Sequence, residues 1–205
     1  MEKFKLTKNK IKKFGIFLFQ IEAVTSFTSI MKGEKGGFIE KEENLSQNGN
    51  AWVSGNAWVY GNARVSGKAR VSDNARVYGN ARVSGDARVS GNARVSSDAR
   101  VSGNARVSGD ARVSDNARVS GDASVSGNAW VSGKLEITTN MKMIIGLCKW
   151  DLLFSCNNLV KIGCKIKSIE EWEKWFAGTE EFDTKRDTED FRKIQLCFEL
   201  GLKTL

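Results

Sequence analysis

The sequence predicts a mainly β protein built around a parallel β-helix with a cap at each end, and three observations carry that prediction. From Ala51 to Gly133 one six-residue phrase, Ala-Arg-Val-Ser-Gly-Asn, runs fourteen times with small substitutions and no slip of phase. Its alanine (51, 57, 63 and on to 129) and its valine (53, 59, 65 and on to 131) stand two residues apart, so both face one side of a short strand. After each strand come pairs such as Gly55-Asn56, Gly85-Asp86 and Asp73-Asn74, residue types that tolerate left-handed or turn backbone. Four strand residues and a two-residue corner make one side of a coil. A strand this short cannot bury its apolar face alone, so the units must stack, and a six-residue period marks a stacked parallel β-helix. Three sides would make a coil of three phrases, a number the period alone leaves open. Strict phase through all fourteen phrases argues against a disordered low-complexity tract.

Ahead of the repeat, residues 1–38 read as an N-terminal cap. Lys3, Lys5, Lys8, Lys10, Lys12 and Lys13 precede a short apolar run from Phe14 to Phe19. That run is too short for a secretory signal, meets Gln20 and Glu22 at once, and has no small-residue cleavage pattern. No stretch approaches the roughly 20 apolar residues of a membrane span. Two strands are expected instead, Lys3 to Thr7 and Ile16 to Val24, with Gly36-Gly37 as punctuation. Stepping back by six from Ala51 reaches Leu45 and Ile39, and from Gly55-Asn56 reaches Gly49-Asn50, so a degenerate opening coil starts near Ile39. The β-helix thus occupies 39–137. Its ends need covering, because an open solenoid exposes both core and unpaired strand edge.

Within the repeat, the outward positions carry the charge. Arg separates Ala from Val in ten phrases, as Arg64, Arg70, Arg76, Arg82, Arg88, Arg94, Arg100, Arg106, Arg112 and Arg118, while Trp52, Trp58, Trp130 and Ser124 fill the other four. Residues 51–134 hold ten Arg and two Lys against six Asp, a net +6 of the chain's +8. A positive excess concentrated on one element favours a polyanionic partner.

After Gly133 the phrase decays through Leu135 and Ile137, and residues 138–205 read as a C-terminal cap of short strands and two helices. Met143 to Leu147, Leu152 to Phe154 and Leu159 to Ile162 are the apolar strand candidates, with Asn157-Asn158 as a turn. Ser168-Ile-Glu-Glu171 is a capping box that opens a helix with Ile169, Trp172 and Phe176 on one face and Gly178 at its end. A second helix is expected from about Thr188 to Leu200, with Phe191, Ile194 and Phe198 inward. Both are expected to pack on the solenoid.

The phrase resembles the hexapeptide repeat of left-handed parallel β-helices. Val53 and Ala57 take the aliphatic and small positions, and every later repeat follows. It departs after the aliphatic, where that family prefers Gly, Ala, Asp or Glu and this chain has Ser or Tyr. The resemblance implies a single-stranded, three-sided coil of about 18 residues, with roughly five to six coils in 39–137. It also implies a left hand, although parallel crossovers are otherwise right-handed in about 98% of cases. On that coil length Arg70, Arg88 and Arg106 form one row, Arg76, Arg94 and Arg112 a second, and Arg64, Arg82, Arg100 and Arg118 a third. Tyr60 and Tyr78 then stack one coil apart. Neighbours in a row lie about 4.8 Å apart, so the like charges repel unless Asp, Ser or a bound anion stands between them. The stretches Gly36 to Ser46 and Ile162 to Trp172 are similar to hexapeptide-repeat proteins of bacteria, phages and prophages that are often described as acyltransferase-like. That likeness implies the fold and a mobile-element origin, and no settled activity.

Several chemistries lack their parts. Hexapeptide acyltransferases use a histidine base and coenzyme A, and the chain contains no histidine. Asp86, Asp98, Asp110 and Asp122 recur at corners as turn formers, with nothing to bring one to a pKa near neutrality. Cys148, Cys156, Cys164 and Cys197 lack the close pairing of a zinc site and, in a reducing compartment, read as buried free thiols. The glycines follow the solenoid period rather than a phosphate-binding loop, and the repeat has no threonine for an ice-binding plane. The expectation is therefore a non-catalytic binding protein without cofactor or metal, in the cytoplasm (the host's, if phage encoded), making no membrane contact. Its outward Arg rows, with Tyr60 and Tyr78, would engage nucleic acid, or a nucleoprotein or acidic protein surface, in one form inhibiting a host nucleic-acid-targeting defence complex. A virion, fibre or scaffold protein is the structural rival and a hexapeptide acyltransferase the enzymatic one. The oligomeric state is open, a homotrimer included.

Overall fold

The phrase makes a strand and a corner, and a third of a coil follows from each copy. The computed structural model describes residues 2–138, 142–144, 150–155, 157–181 and 183–203. Each of the fourteen phrases contributes a short parallel strand, beginning with Trp52–Val53 (β4), and the decayed segment after Gly133 adds a fifteenth, Glu136–Ile137 (β18). Each strand up to the last coil pairs with the one three phrases further on, as Arg70 with Arg88 and Arg76 with Arg94. Three sheets result. The first face stacks Trp52, Arg70, Arg88, Arg106 and Ser124. The second stacks Trp58, Arg76, Arg94, Arg112 and Trp130. The third stacks Arg64, Arg82, Arg100, Arg118 and Glu136. With the opening coil, about six coils are stacked. The alanines and valines of all fourteen phrases are buried and form one continuous core.

Parallel coils bond in both directions, and one set of these bonds looks forward along the chain. Arg70 N–H donates to the Ala87 carbonyl, Ser72 N–H to Val89 and Asn74 N–H to Gly91, each at 2.9 Å, and the pattern repeats along the solenoid. Carbonyls of Ala, Val and the corner residue therefore look back to the preceding coil, while amides of Arg, Ser and Asn look forward. The first coil is left with carbonyls that nothing in the repeat can satisfy.

The N-terminal cap supplies those donors. Strands β1 (Phe4–Lys13), β2 (Ile16–Ala23) and β3 (Lys35–Ile39) form an antiparallel meander, and Phe38-Ile39 of β3 pairs in parallel with Trp58-Val59. Phe38 N–H reaches the Ala57 carbonyl at 2.9 Å and Glu40 N–H that of Val59 at 3.1 Å. The buried Asn44 amide donates to the carbonyls of Gly61 (3.1 Å) and Ala63 (2.9 Å), and Lys3 Nζ to those of Ser46 (2.6 Å), Gly49 (3.4 Å) and Ala51 (2.9 Å). β1 runs well past the expected Thr7, because a register shift between Leu6 and Lys10 lets Lys10 to Lys13 pair with Ile16 to Phe19. Gly36 and Gly37 are not a break but the inside of β3. A Cβ on Gly36 would sit 2.5 Å from both the Ile21 side chain and the Val53 carbonyl oxygen, so glycine is there for close approach.

The C-terminal cap is a second meander, β19 (Lys142–Ile144), β20 (Leu152–Phe154), β21 (Leu159–Ile162) and β22 (Lys165–Ser168). One side of it closes the solenoid: Leu153, Leu159 and Ile166 join the solenoid core, and Lys161 Nζ donates to the Trp130 carbonyl at 3.3 Å and to Ser132 Oγ at 3.1 Å. The other side, with Leu152, Phe154, Val160 and Ile162, packs against α1 (Ile169–Ala177) and α2 (Glu189–Leu202) in a separate core. The helices thus lie on the terminal sheet, not on the coils as expected, because alternation along β20 and β21 gives that sheet two apolar sides. Ser168 Oγ accepts the Glu171 N–H at 3.1 Å, and the Glu171 carboxylate accepts the Ser168 N–H at 2.8 Å. Trp172 and Trp175 carry the buried face of α1, with Phe176 only half-buried. Of the expected strand Met143 to Leu147, positions 145–147 lie outside the described residues, as do Cys148 and Cys156. Cys197 is buried but Cys164 is exposed beside the Gly163 turn, against the expectation of buried thiols. Among the described residues no helix is long and apolar enough to cross a membrane.

Candidate nucleic-acid interface

The pleat sends each arginine outward, and the three-phrase coil brings the ten into three ladders in direct register, as the sequence spacing implies. Nine are exposed and Arg76 is half-buried. None of the ten forms an ion pair within 4 Å among the described residues. Glu136 stands in register beside Arg118 at the end of the third ladder, outside ion-pair distance, and the aspartates of the repeat are spent at the corners. Asn80 donates to Asp98 (3.0 Å), Asn92 to Asp110 (3.0 Å) and Asn104 to Asp122 (2.9 Å), while Lys68 pairs with Asp86 at 3.7 Å. Asp73 and Asp115 accept from the corner amides of Gly91 and Gly133 one coil on. Corner and strand positions point in different directions, so these acids stay off the ladders and the guanidinium rows keep their repulsion.

The three faces differ in what flanks the ladder. On the first, the 27–34 loop leans over the start of the row: Phe27 packs edge-on to the buried Trp52 (5.5 Å), and Arg70 donates to Ser29 Oγ at 3.3 Å. An open groove of about 580 Å³ runs there between Glu34, Arg70 and Arg88. The third face is the longest unbroken row, and a groove of about 570 Å³ holds Arg64 and Arg82 with Glu43 at its rim.

The second face carries the aromatic groups. Tyr60 and Tyr78 are stacked, ring centroids 5.0 Å apart and planes 3° from parallel. Arg76 lies over Trp58 at 4.5 Å, and Lys13 approaches the same ring at 5.7 Å. Burial pushes the Tyr60 phenol's pKa up, and charge repulsion from the neighbouring Tyr78 phenol adds to the rise, against the opposing pull of Arg76 and Arg94. The sequence did not mark Phe14, the 69% exposed tip of the β1–β2 hairpin, which reaches back to Tyr60 (6.1 Å) and Trp58 (6.3 Å). Nor did it single out Trp130, although a tryptophan in an arginine position was the available signal.

Among the described residues no group of three or more His, Cys, Asp or Glu could hold a metal ion. Comparison with known proteins finds the YdcK beta solenoid repeat at residues 57–73, 69–85, 75–88, 99–114 and 111–127. No curated protein matches the chain. The repeat match and the stacked coils agree: this is a β-solenoid repeat protein, similar in its repeats to the YdcK solenoid.

Proposed function

We propose that the protein is a non-catalytic binding protein that holds a nucleic acid, free or within a nucleoprotein, on its arginine ladders. The observation that carries this reading is the register of ten outward arginines with no carboxylate within ion-pair distance among the described residues. Rows of like charge about one strand spacing apart are costly unless anions sit between them, and a phosphate backbone is a polymer of such anions. A form of the same reading, suggested by the likeness to phage and prophage proteins, has the surface occupy a nucleic-acid-targeting defence complex of a host cell.

Oligonucleotide affinity measured by anisotropy over a salt series tests the reading. Affinity is expected to fall steeply with salt, and replacing one ladder by Gln (Arg76, Arg94 and Arg112 together) to reduce the log–log slope by about 2–3, at roughly 0.7–0.9 per phosphate contact. The Arg64, Arg82, Arg100, Arg118 and the Arg70, Arg88, Arg106 replacements are the comparators. Equal losses from all three ladders mean bulk charge, and an affinity indifferent to salt removes phosphate contact altogether. Pull-down from host lysate with and without nuclease separates a free nucleic acid from a nucleoprotein surface.

A further inference from the structure

The geometry points to a stacking site for two successive unpaired nucleobases on the second face, between the open side of Tyr78 and the indole of Trp130. This rests on the nucleic-acid reading above and narrows it to single strands. The position after each valine on this face runs Tyr60, Tyr78, Ser96, Ser114, Ser132, whereas on the other two faces it holds serine throughout from 54 to 126 and from 66 to 120. Rings therefore form a column on one face alone. The 5.0 Å, 3° Tyr60–Tyr78 pair is its body, and Phe14 stacks on Tyr60 at 28°, closing the end nearest the N-terminal cap. At Ser96 the column stops, and among the described residues the far side of Tyr78 has no ring to follow it.

The opposite wall is Trp130, 55% exposed. Its Nε1–H donates to Ser114 Oγ at 3.3 Å, which draws the indole back by one coil, and Lys161 Nζ stands 4.3 Å from the ring centroid. From the level of Tyr78 to that of Ser114 is two coils, roughly 10 Å at the strand spacing. That is about three intervals at the roughly 3.4 Å rise of a nucleic acid strand, room for two stacked bases between the walls. Arg94 and Arg112 stand exposed on the same two coils, in reach of the flanking phosphates, and Ser96 is the half-buried residue that follows Tyr78 in the column. A base inside a duplex has both faces occupied, so only an unpaired base can enter such a column.

Binding of a short oligothymidylate, an abasic strand with the same number of phosphates, and a duplex of the same length tests this with the full chain. The oligothymidylate is expected to bind at least about 5- to 150-fold more tightly than the abasic strand, the range for stacking one base on an aromatic side chain. Tyr78→Ala and Trp130→Ala are each expected to abolish that difference while leaving abasic affinity unchanged. Ser96→Tyr, which extends the column with its own ring and keeps the fold, is expected to do the same, and Tyr78→Phe to retain the preference. If oligothymidylate and abasic strand bind alike, or the duplex binds best, the stacking site is overturned and the arginine reading stands. If none of the three binds at low salt, both fall.

Discussion

Each corner of the solenoid turns on one residue with left-handed backbone, and at Asp73, Ser97 and Asp115 that residue is not glycine (φ 61°, 56° and 59°). A Cβ in this conformation costs about 1–2 kcal/mol. The two aspartates recover part of it by accepting the amide of the corner glycine one coil on, at 2.9 and 3.1 Å. The Ser97 hydroxyl makes no such bond among the described residues. Ser97→Gly is therefore expected to raise the unfolding free energy by about 0.5–1 kcal/mol, the strain relieved less the extra freedom glycine gives the unfolded chain. The reverse change at a glycine corner should be costly: at Gly85 (φ +67°) a Cβ would meet the Gly103 amide nitrogen at 2.9 Å. Gly85→Ala is expected to lose about 1–3 kcal/mol. Urea titration followed by circular dichroism reads both, and a stabilising Gly85→Ala would mean that the corner tolerates a side chain.

At the scale of elements, the two caps solve one electrostatic problem from opposite ends. Lys3 meets carbonyls that look out of the first coil, and Lys161 meets the Trp130 carbonyl at the last. Burial lowers the pKa of both ammonium groups, that of Lys3 from 10.5 to about 8. Between about pH 8 and 10.5 the folded chain then binds fewer protons at Lys3 than the unfolded chain, so this lysine's contribution to stability rises with pH across that window; below it the full desolvation cost is present. Lys3→Met should lower stability by about 1–3 kcal/mol at pH 7 by leaving buried carbonyls without a donor. The gap between wild type and variant should widen by up to about 3 kcal/mol from pH 8 to 10.5; a constant gap would show that the ammonium is not desolvated. None of this was visible in the sequence, where Lys3 is one lysine among six near the start. What was legible is what repeats or is local: the Ala/Val phase, the ladders, the Tyr60–Tyr78 stack and the Ser168–Glu171 box each need only residues a fixed distance apart. Illegible were features set by long-range partners. The β1 register shift depends on pairing with β2, the close approach at Gly36 on Val53, and the reach of Phe14 on where the hairpin lands.

The whole molecule is a one-dimensional stack in which each phrase bonds mainly to those three phrases away, and the three sides have nearly the same sequence. The sides should then be interchangeable for folding but not for binding. Deleting one phrase, Ala99 to Asn104, keeps every valine in phase and leaves the last coil and its contacts with Lys161 and Ser155 intact. It moves everything downstream by one side, so that Trp130 leaves the face of Tyr78 for the one now held by Ser124. Such a variant is expected to keep its β circular dichroism and cooperative unfolding, and to lose the preference for oligothymidylate over the abasic strand. Deleting Ala93 to Asp110, a full coil, returns Trp130 to its own face with the slot narrowed by one strand spacing. Deleting only Ala99 to Val101 throws alanine and valine out of phase from there on, and that chain should lose its downstream β structure. If the one-phrase deletion unfolds while the full-coil deletion does not, the sides are not equivalent. The solenoid would then be held by contacts between its faces and its caps rather than by its stacking alone.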